Sequence, residues 1–511
     1  MGLLRISRFS YVHIICISAA LLLRAYASFH LDLVNYPDSE TYELIALQSY
    51  NGLTVTLPTR PLGYPLFLTW LYNAFGPMRS YAVYAQHLLG VLSYFLYYSI
   101  LFHIFRKKTI AALFAFAIII SGNLLIYERA VLSDFLNHFL LLVSVFIAFK
   151  YFKSRSPYLM APLALASAAA SFTRPTSNLF TALMLFFLAV ELLMNMKKRE
   201  RGICHFKSIT VYAALLVIFS AGFNFYGVKK TGFKGEPVGV LGVTMLIRTA
   251  DFIDYSSPLH AGIKEDFRTL QKGYLADYVP EYANFLSGYM LYTGIKCDID
   301  DATGKAYANT AMSAGRFYGF HAVGPNFFNS HDVLRELKCD AETIDRIVLA
   351  ISKEAVFSNF APFLRSTLSN FMGFVEVNPW EYLSFSASAE RGGAGLLSGF
   401  LGLNQSIDRI MGNRAVSFLL LAFFVLGVFA FYCLEGDKGR RTAVTFLLCF
   451  ILLNYLTLAV IADHPASRYK LPFWWMQLPL LVYFISVTIS GFIKLSGDAP
   501  SLTETGPADE L

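Results

Sequence analysis

The strongest constraint in this sequence is a succession of mainly apolar runs, each about 20 residues long, the length a helix needs to cross the hydrocarbon layer of a bilayer. A lipid-facing helix satisfies its own backbone hydrogen bonds, so such runs fold as spanning helices and not as loops or open strands. About ten runs qualify: 9–29, 81–105, 109–127, 131–152, 157–173, 176–195, 208–228, 415–434, 442–462 and 471–493. Composition agrees. With 56% hydrophobic residues, 15% charged and a mean hydropathy of +0.50, the chain holds more apolar surface than the core of a soluble domain of 511 residues can use. The expected fold class is an all-α polytopic membrane protein.

Cytoplasmic loops of membrane proteins collect Lys and Arg. Alternate connections here are basic. Arg5 and Arg8 precede the first run, Arg106, Lys107 and Lys108 follow the second, and Lys150, Lys153 and Arg155 follow the fourth. Lys197, Lys198, Arg199 and Arg201 follow the sixth, Lys438, Arg440 and Arg441 the eighth, and Lys494 the tenth. The alternation predicts an even number of spans with both termini in the cytoplasm. The net charge of +7 is then a topological signal, and no nucleic-acid partner is expected. Ala25-Tyr26-Ala27 resembles a cleavage site, but every later loop fits an uncleaved first helix.

The organisation reads as an N-terminal transmembrane module over 1–228, an extracytoplasmic domain over 229–414, C-terminal helices over 415–494 and a disordered cytoplasmic tail over 495–511. Within the first module, 30–80 forms a long outer loop. There Asp38 can cap a short helix on which Tyr42, Ile45 and Ala46 share a face, and 64–75 suits a helix lying in the interface. The outer domain is expected to be mainly helical, with an amphipathic helix from Thr343, marked by Ile344, Ile347, Val348, Ile351 and Ala355, ending near Pro362. Cys297 and Cys339 lie in it, either as a disulfide or as independent thiols. Asp298-Ile299-Asp300 reads as a solvated acidic turn, since no strand–helix alternation surrounds it, and Gly392-Gly393-Ala394-Gly395 as a flexible loop.

Ionisable groups at the lipid boundary are expensive, so they carry the functional candidates. Asp38 and Glu40 form one acidic group; Glu128, Arg129 and Asp134 form another, at the junction of the third and fourth runs. Arg60, Arg174 and Arg468 add positive charge from other outer connections, with His464 and Tyr469 beside the last. Carboxylates can deprotonate an acceptor and cations can hold a departing phosphate. Each residue also has a plainer reading: a helix cap for Asp38, a solvated face for Glu40, an ion pair with Arg129 for Asp134, an interfacial anchor for Arg174, and a short basic loop for His464 and Arg468.

In combination the motifs resemble a family. Asp38 and Tyr42 stand four apart in the first outer loop; Arg60 precedes Pro61-Leu62-Gly63-Tyr64-Pro65; Asp134 follows; then come Thr173-Arg174-Pro175 and Arg468-Tyr469-Lys470-Leu471-Pro472. This order is similar to that of GT-C-fold glycosyltransferases, in the bacterial branch related to protein O-mannosyltransferases and the lipid A aminoarabinose transferase. It covers 1–230 and about 345–480. The resemblance implies Asp38 as the general base on the acceptor, with Ser39 separating it from Glu40 where many relatives have adjacent acids. It implies Asp134 as the second acid, and Arg60, Arg174, Arg468 and Tyr469 as the residues that address the donor's phosphate.

The implied reaction is transfer of a monosaccharide from a polyprenyl-phosphate donor to a hydroxyl of a glycan, lipid or protein, with inversion. Some relatives use a divalent metal and others do not, and no dedicated ligand set stands out. A transporter or flippase of lipid-linked glycans would share the spans and the outward arginines, but usually places its polar groups near the bilayer midplane.

Overall fold

The computed structural model describes residues 8–30, 33, 37–53, 61–195, 199–231, 245–246, 248–262, 264–265, 268, 295–300, 305–310, 341–375, 425–461, 479–480 and 482–489. Among these, six helices are long and apolar enough to cross a bilayer: Tyr11–Phe29, Arg79–Phe105, Ser133–Ser154, Pro175–Asn195, His205–Thr231 and Lys438–Thr457. The chain is a multi-pass integral membrane protein.

The first of these lies in α1 (Arg8–His30). The short outer helices α2 (Pro37–Tyr50) and α3 (Gly63–Phe75) follow, and then the long α4 (Arg79–Phe105). α2 begins at Pro37, so Asp38 falls inside its first turn and not ahead of it as a cap. Tyr42, Ile45 and Ala46 are all buried, on the shared face expected of them, and Tyr42 and Ala46 pack with Tyr64, Leu68, Leu71 and Tyr72 of α3. Trp70 and Phe75 stay exposed on α3.

The expected third span is not one helix. α5 (Lys108–Ile119) stops after 12 residues, and α6 (Gly122–Glu128) restarts behind Ser121, whose hydroxyl accepts the Leu124 N–H at 3.4 Å. α7 (Ser133–Ser154) then crosses in full. The expected fifth span is also short. α8 (Met160–Thr173) has 14 residues, about 21 Å at the usual helical rise, bounded by proline-containing 3-10 turns at Pro157–Leu159 and Pro175–Ser177. Its alanines let it pack closely between α7 and α10 (Arg199–Thr231), and Tyr212 of α10 donates to Ser167 at 3.1 Å. α9 (Asn178–Asn195) completes this half. The described residues therefore do not contain ten uninterrupted crossing helices.

In the outer segment a two-stranded antiparallel hairpin interrupts the expected helical content. β1 (Ile295–Asp300) pairs with β2 (Lys305–Thr310), Asp298 opposite Tyr307 and Asp300 opposite Lys305. The acidic run expected as a turn is thus the end of a strand. α11 (Ala341–Ser358) buries Ile347, Val348, Ile351 and Ala355 as its spacing requires. α12 (Phe360–Val375) leaves it at 99°, the break coming at Asn359, whose amide donates to the Phe252 carbonyl at 2.8 Å; Pro362 sits in the new first turn, where proline is tolerated. Cys339, the glycine run at 392–395 and the tail from 495 lie outside the described residues.

α13 (Val425–Leu434) and α14 (Lys438–Ile461) follow, α14 packing against α7, α9 and α12. Arg106 meets Asp437 at 2.6 Å, a Cβ on Gly439 would lie 2.9 Å from the Phe152 carbonyl, and Arg155 pairs with Glu191. Connections after α4, α7 and α13 thus gather at one end of the bundle, away from α2, α3 and the α6–α7 junction, as the alternating charges require.

At the outer end a single glycine sets the distance between helices. A Cβ on Gly63 would lie 2.7 Å from the backbone of Phe172 and Thr173 at the end of α8. Gly63→Ala is therefore expected to destabilise the protein by about 1–3 kcal/mol, seen as a lower thermal midpoint of the detergent-purified protein.

Candidate active site

Asp134 stands in the first turn of α7, where the helix dipole favours a carboxylate. Arg174 ends α8 in an extended conformation (φ −147°, ψ 124°), because Pro175 disfavours the helical region for the residue before it. That exit brings the Arg174 Nη1 onto the Asp134 Oδ1. Asp134 is 1% exposed and Arg174 20%. The ion pair that forms thus joins two separate outer connections, where the sequence offered neighbouring Arg129 as the simplest partner. Among the described residues, Arg174 spends one nitrogen on Asp134, and the rest of its fork of donors is available to an anion. Ser177, in the turn after it, donates to Asn137 at 2.6 Å and fixes this turn against α7.

A chain of buried polar contacts runs inward from Asp134. The neighbouring Ser133 hydroxyl shares a 2.9 Å hydrogen bond with Tyr42 of α2. Tyr42 meets Tyr64 edge to face at 5.2 Å, and Tyr64 donates to Gln86 of α4 at 3.1 Å. Burial pushes the Tyr64 hydroxyl well above its ordinary range, with the charges of neighbouring Tyr42, Tyr72, Glu43 and Asp134 adding to the effect, so it remains a proton donor. The Gln86 amide in turn donates to the carbonyls of Glu128 and Ala130, at 2.8 and 2.9 Å.

The chain ends on a charged cluster. Arg24 of α1 grips Glu128 through Nη2 on Oε1 at 2.5 Å and Nε on Oε2 at 2.8 Å, and His87 Nδ1 lies 2.6 Å from Oε2. Glu128 is wholly buried and Arg24 is 3% exposed. Glu128 therefore forms a buried cluster of its own with Arg24 and His87.

Asp38 and Glu40 lie at the start of α2, within a turn of Tyr42, whose hydroxyl ties this helix to the residue before Asp134. The fold thus brings the two expected acidic groups to the same end of the bundle. Arg60, His464, Arg468 and Tyr469 lie outside the described residues. Sequence reasoning passed over Arg24, Gln86 and His87. The signal was there: each is a polar or charged residue set inside an otherwise apolar run. Among the described residues no group of His, Cys, Asp and Glu converges as a metal site would.

No known family profile matches the chain, and no curated protein matches it in sequence. The solved structures similar to it include two. One is the archaeal oligosaccharyltransferase AglB from Archaeoglobus fulgidus, in complex with an inhibitory peptide and a dolichol-phosphate, with 13% identity and a TM-score of 0.42 over 98% of this chain and 53% of that one. The other is ArnT from Cupriavidus metallidurans bound to undecaprenyl phosphate, with 13% identity and a TM-score of 0.36 over 96% of this chain and 80% of that one. The chain spans about half the length of AglB. At these identities and scores, a functional reading rests on the chain's own residues.

Removing one partner of a buried ion pair typically costs about 3–5 kcal/mol, and removing both costs far less. Arg174→Met is therefore expected to lower the thermal midpoint more than the double substitution Arg174→Met with Asp134→Leu, measured on detergent-purified protein.

Proposed function

We propose that the protein is a glycosyltransferase of the GT-C type, moving a monosaccharide from a polyprenyl-phosphate donor to a hydroxyl acceptor at the outer face of the membrane. The observation that carries this reading is the Tyr42–Ser133 hydrogen bond, which ties α2, the helix of Asp38 and Glu40, to the residue before Asp134 in the Asp134–Arg174 pair. The basic connections lie at the other end, which by the positive-inside rule is the cytoplasmic one.

In the proposed reaction the acceptor oxygen attacks the anomeric carbon, a new C–O bond forms, and the bond to the phosphate oxygen breaks. The acceptor's proton passes to Asp38, with Glu40 as the neighbouring alternative. Polyprenyl phosphate leaves with the electron pair. A single displacement inverts the anomeric centre. Asp134 orients Arg174, whose spare donors face the same end as Asp38's helix, and Arg60, Arg468 and Tyr469 supply further contacts to the phosphate. A site of this kind belongs at the lipid boundary, because the donor's sugar phosphate sits there while its chain stays in the bilayer. The acceptor is a glycan, lipid or protein hydroxyl.

Purified protein given a labelled polyprenyl-phosphate sugar should release free polyprenyl phosphate, which a transporter of the same lipid would not do. Asp38→Ala is expected to cut turnover by about 100-fold or more while the protein still folds; near-normal turnover would remove the residue from the reaction. Arg468→Ala should raise the donor KM by about tenfold, and an unchanged donor dependence would count against its phosphate role.

A further inference from the structure

Glu128 was a candidate for chemistry, and its surroundings assign it a different task. Both carboxylate oxygens are taken, Oε1 by Arg24 and Oε2 by Arg24 and His87. There is no room beside them: a Cβ on Gly90 would lie 2.0 Å from Oε1 and 2.8 Å from the Arg24 Nη2. A carboxylate so enclosed cannot meet an acceptor or a sugar.

The same arginine also holds the break in the third expected span. Its Nη2 donates to the Ile119 carbonyl at 2.9 Å, and its Nη1 to its own helix at Ala20 at 3.3 Å. Ile119 is the last residue of α5, where carbonyls lack a partner inside the helix. One guanidinium thus joins α1, the end of α5 and the end of α6. α4 closes the corner from the other side: Gln86 holds the carbonyls of Glu128 and Ala130, His87 holds the carboxylate, and Gly90 leaves space for it.

From this corner to Asp134 there is no slack. Residues 128–134 are all buried. The Leu132 N–H turns back onto the Ala130 carbonyl at 2.9 Å, Leu132 is extended, and α7 begins at the next residue. In a close-packed interior a shift at one end of such a segment is passed on to the other. Apolar side chains could fill the same volume, but a two-pronged arginine–carboxylate contact also fixes direction.

We propose that Glu128, clasped by Arg24 and His87, is a positioning residue that sets the 128–134 segment and thereby the place of Asp134 beside Arg174. This rests on the transferase reading only for its effect on rate; the effect on the segment is independent of it.

Glu128→Gln keeps the side chain's shape and removes the charge that Arg24 grips. In the purified full-length protein, amide hydrogen exchange over 129–135 is expected to quicken. The kcat for transfer from a labelled polyprenyl-phosphate sugar should fall by about tenfold or more, with the donor KM unchanged. Should that variant fail to fold, the double substitution Arg24→Met with Glu128→Met removes both charges, is expected to fold, and should show the same faster exchange. Wild-type exchange over 129–135 in a folded variant overturns the proposal. So does a kcat per folded molecule equal to that of the wild type, the result expected of a role in stability alone. If the wild-type protein transfers no sugar, the transferase reading falls, and the exchange rates still decide whether the clasp holds the segment.

Discussion

Burying an arginine and a glutamate in an apolar bundle costs several kcal/mol for each ion, and only close, well-aligned contacts offset it. Arg24 and Glu128 meet that condition, through a two-pronged contact reinforced by His87. Much of the outer half of the bundle depends on it. The pair requires α5 to stop at Ile119, because Arg24 takes the carbonyl there. It requires α6 to deliver Glu128 to the α1–α4 groove, and it requires glycine at position 90. The corner that results is where the chain turns into α7 and presents Asp134.

The candidate site is built by relay, each element placing the next. α4 fixes the α6–α7 corner through Gln86, and the same Gln86 receives the hydroxyl of Tyr64 from α3. Tyr64 packs against Tyr42, and Tyr42 hydrogen-bonds to Ser133. The outer helices are thus locked to the membrane bundle by buried polar contacts as well as by apolar packing, and buried networks of this kind specify one arrangement when every member finds a partner. Gly63 lets α3 approach the end of α8, and the proline after Arg174 turns that residue out of its helix. Acid and base from distant parts of the sequence meet as a result.

Several features could be read from residues in order. Apolar runs marked the long helices, since lipid solvation is a property of each segment by itself. The amphipathic spacing of α11 and the buried face of α2 followed from local periodicity, and the short helix after Gly63 from an apolar run too short to span. Other expectations failed for a physical reason. The run at 109–127 is apolar throughout, so hydropathy could not reveal a break that is made by a capping serine and by an arginine more than 90 residues earlier. Asp134 had Arg129 near it in sequence, yet its ion pair comes from the end of α8, because helix packing and not chain proximity decides which charges face each other. In the outer segment the hairpin register placed acids opposite Tyr307 and Lys305 where an isolated turn was expected.

By itself, the sequence determined that the chain lives in a membrane and which connections share a side. These are consequences of solvation, which each segment feels independently of the rest. The tertiary structure decided which charges of the chain pair with which. Glu128 and Asp134 lie six positions apart and look alike in the sequence. One is enclosed by α1 and α4, the other pairs with an arginine that keeps a fifth of its surface exposed. That difference depends on how helices pack in three dimensions, and no local pattern of residues contains it.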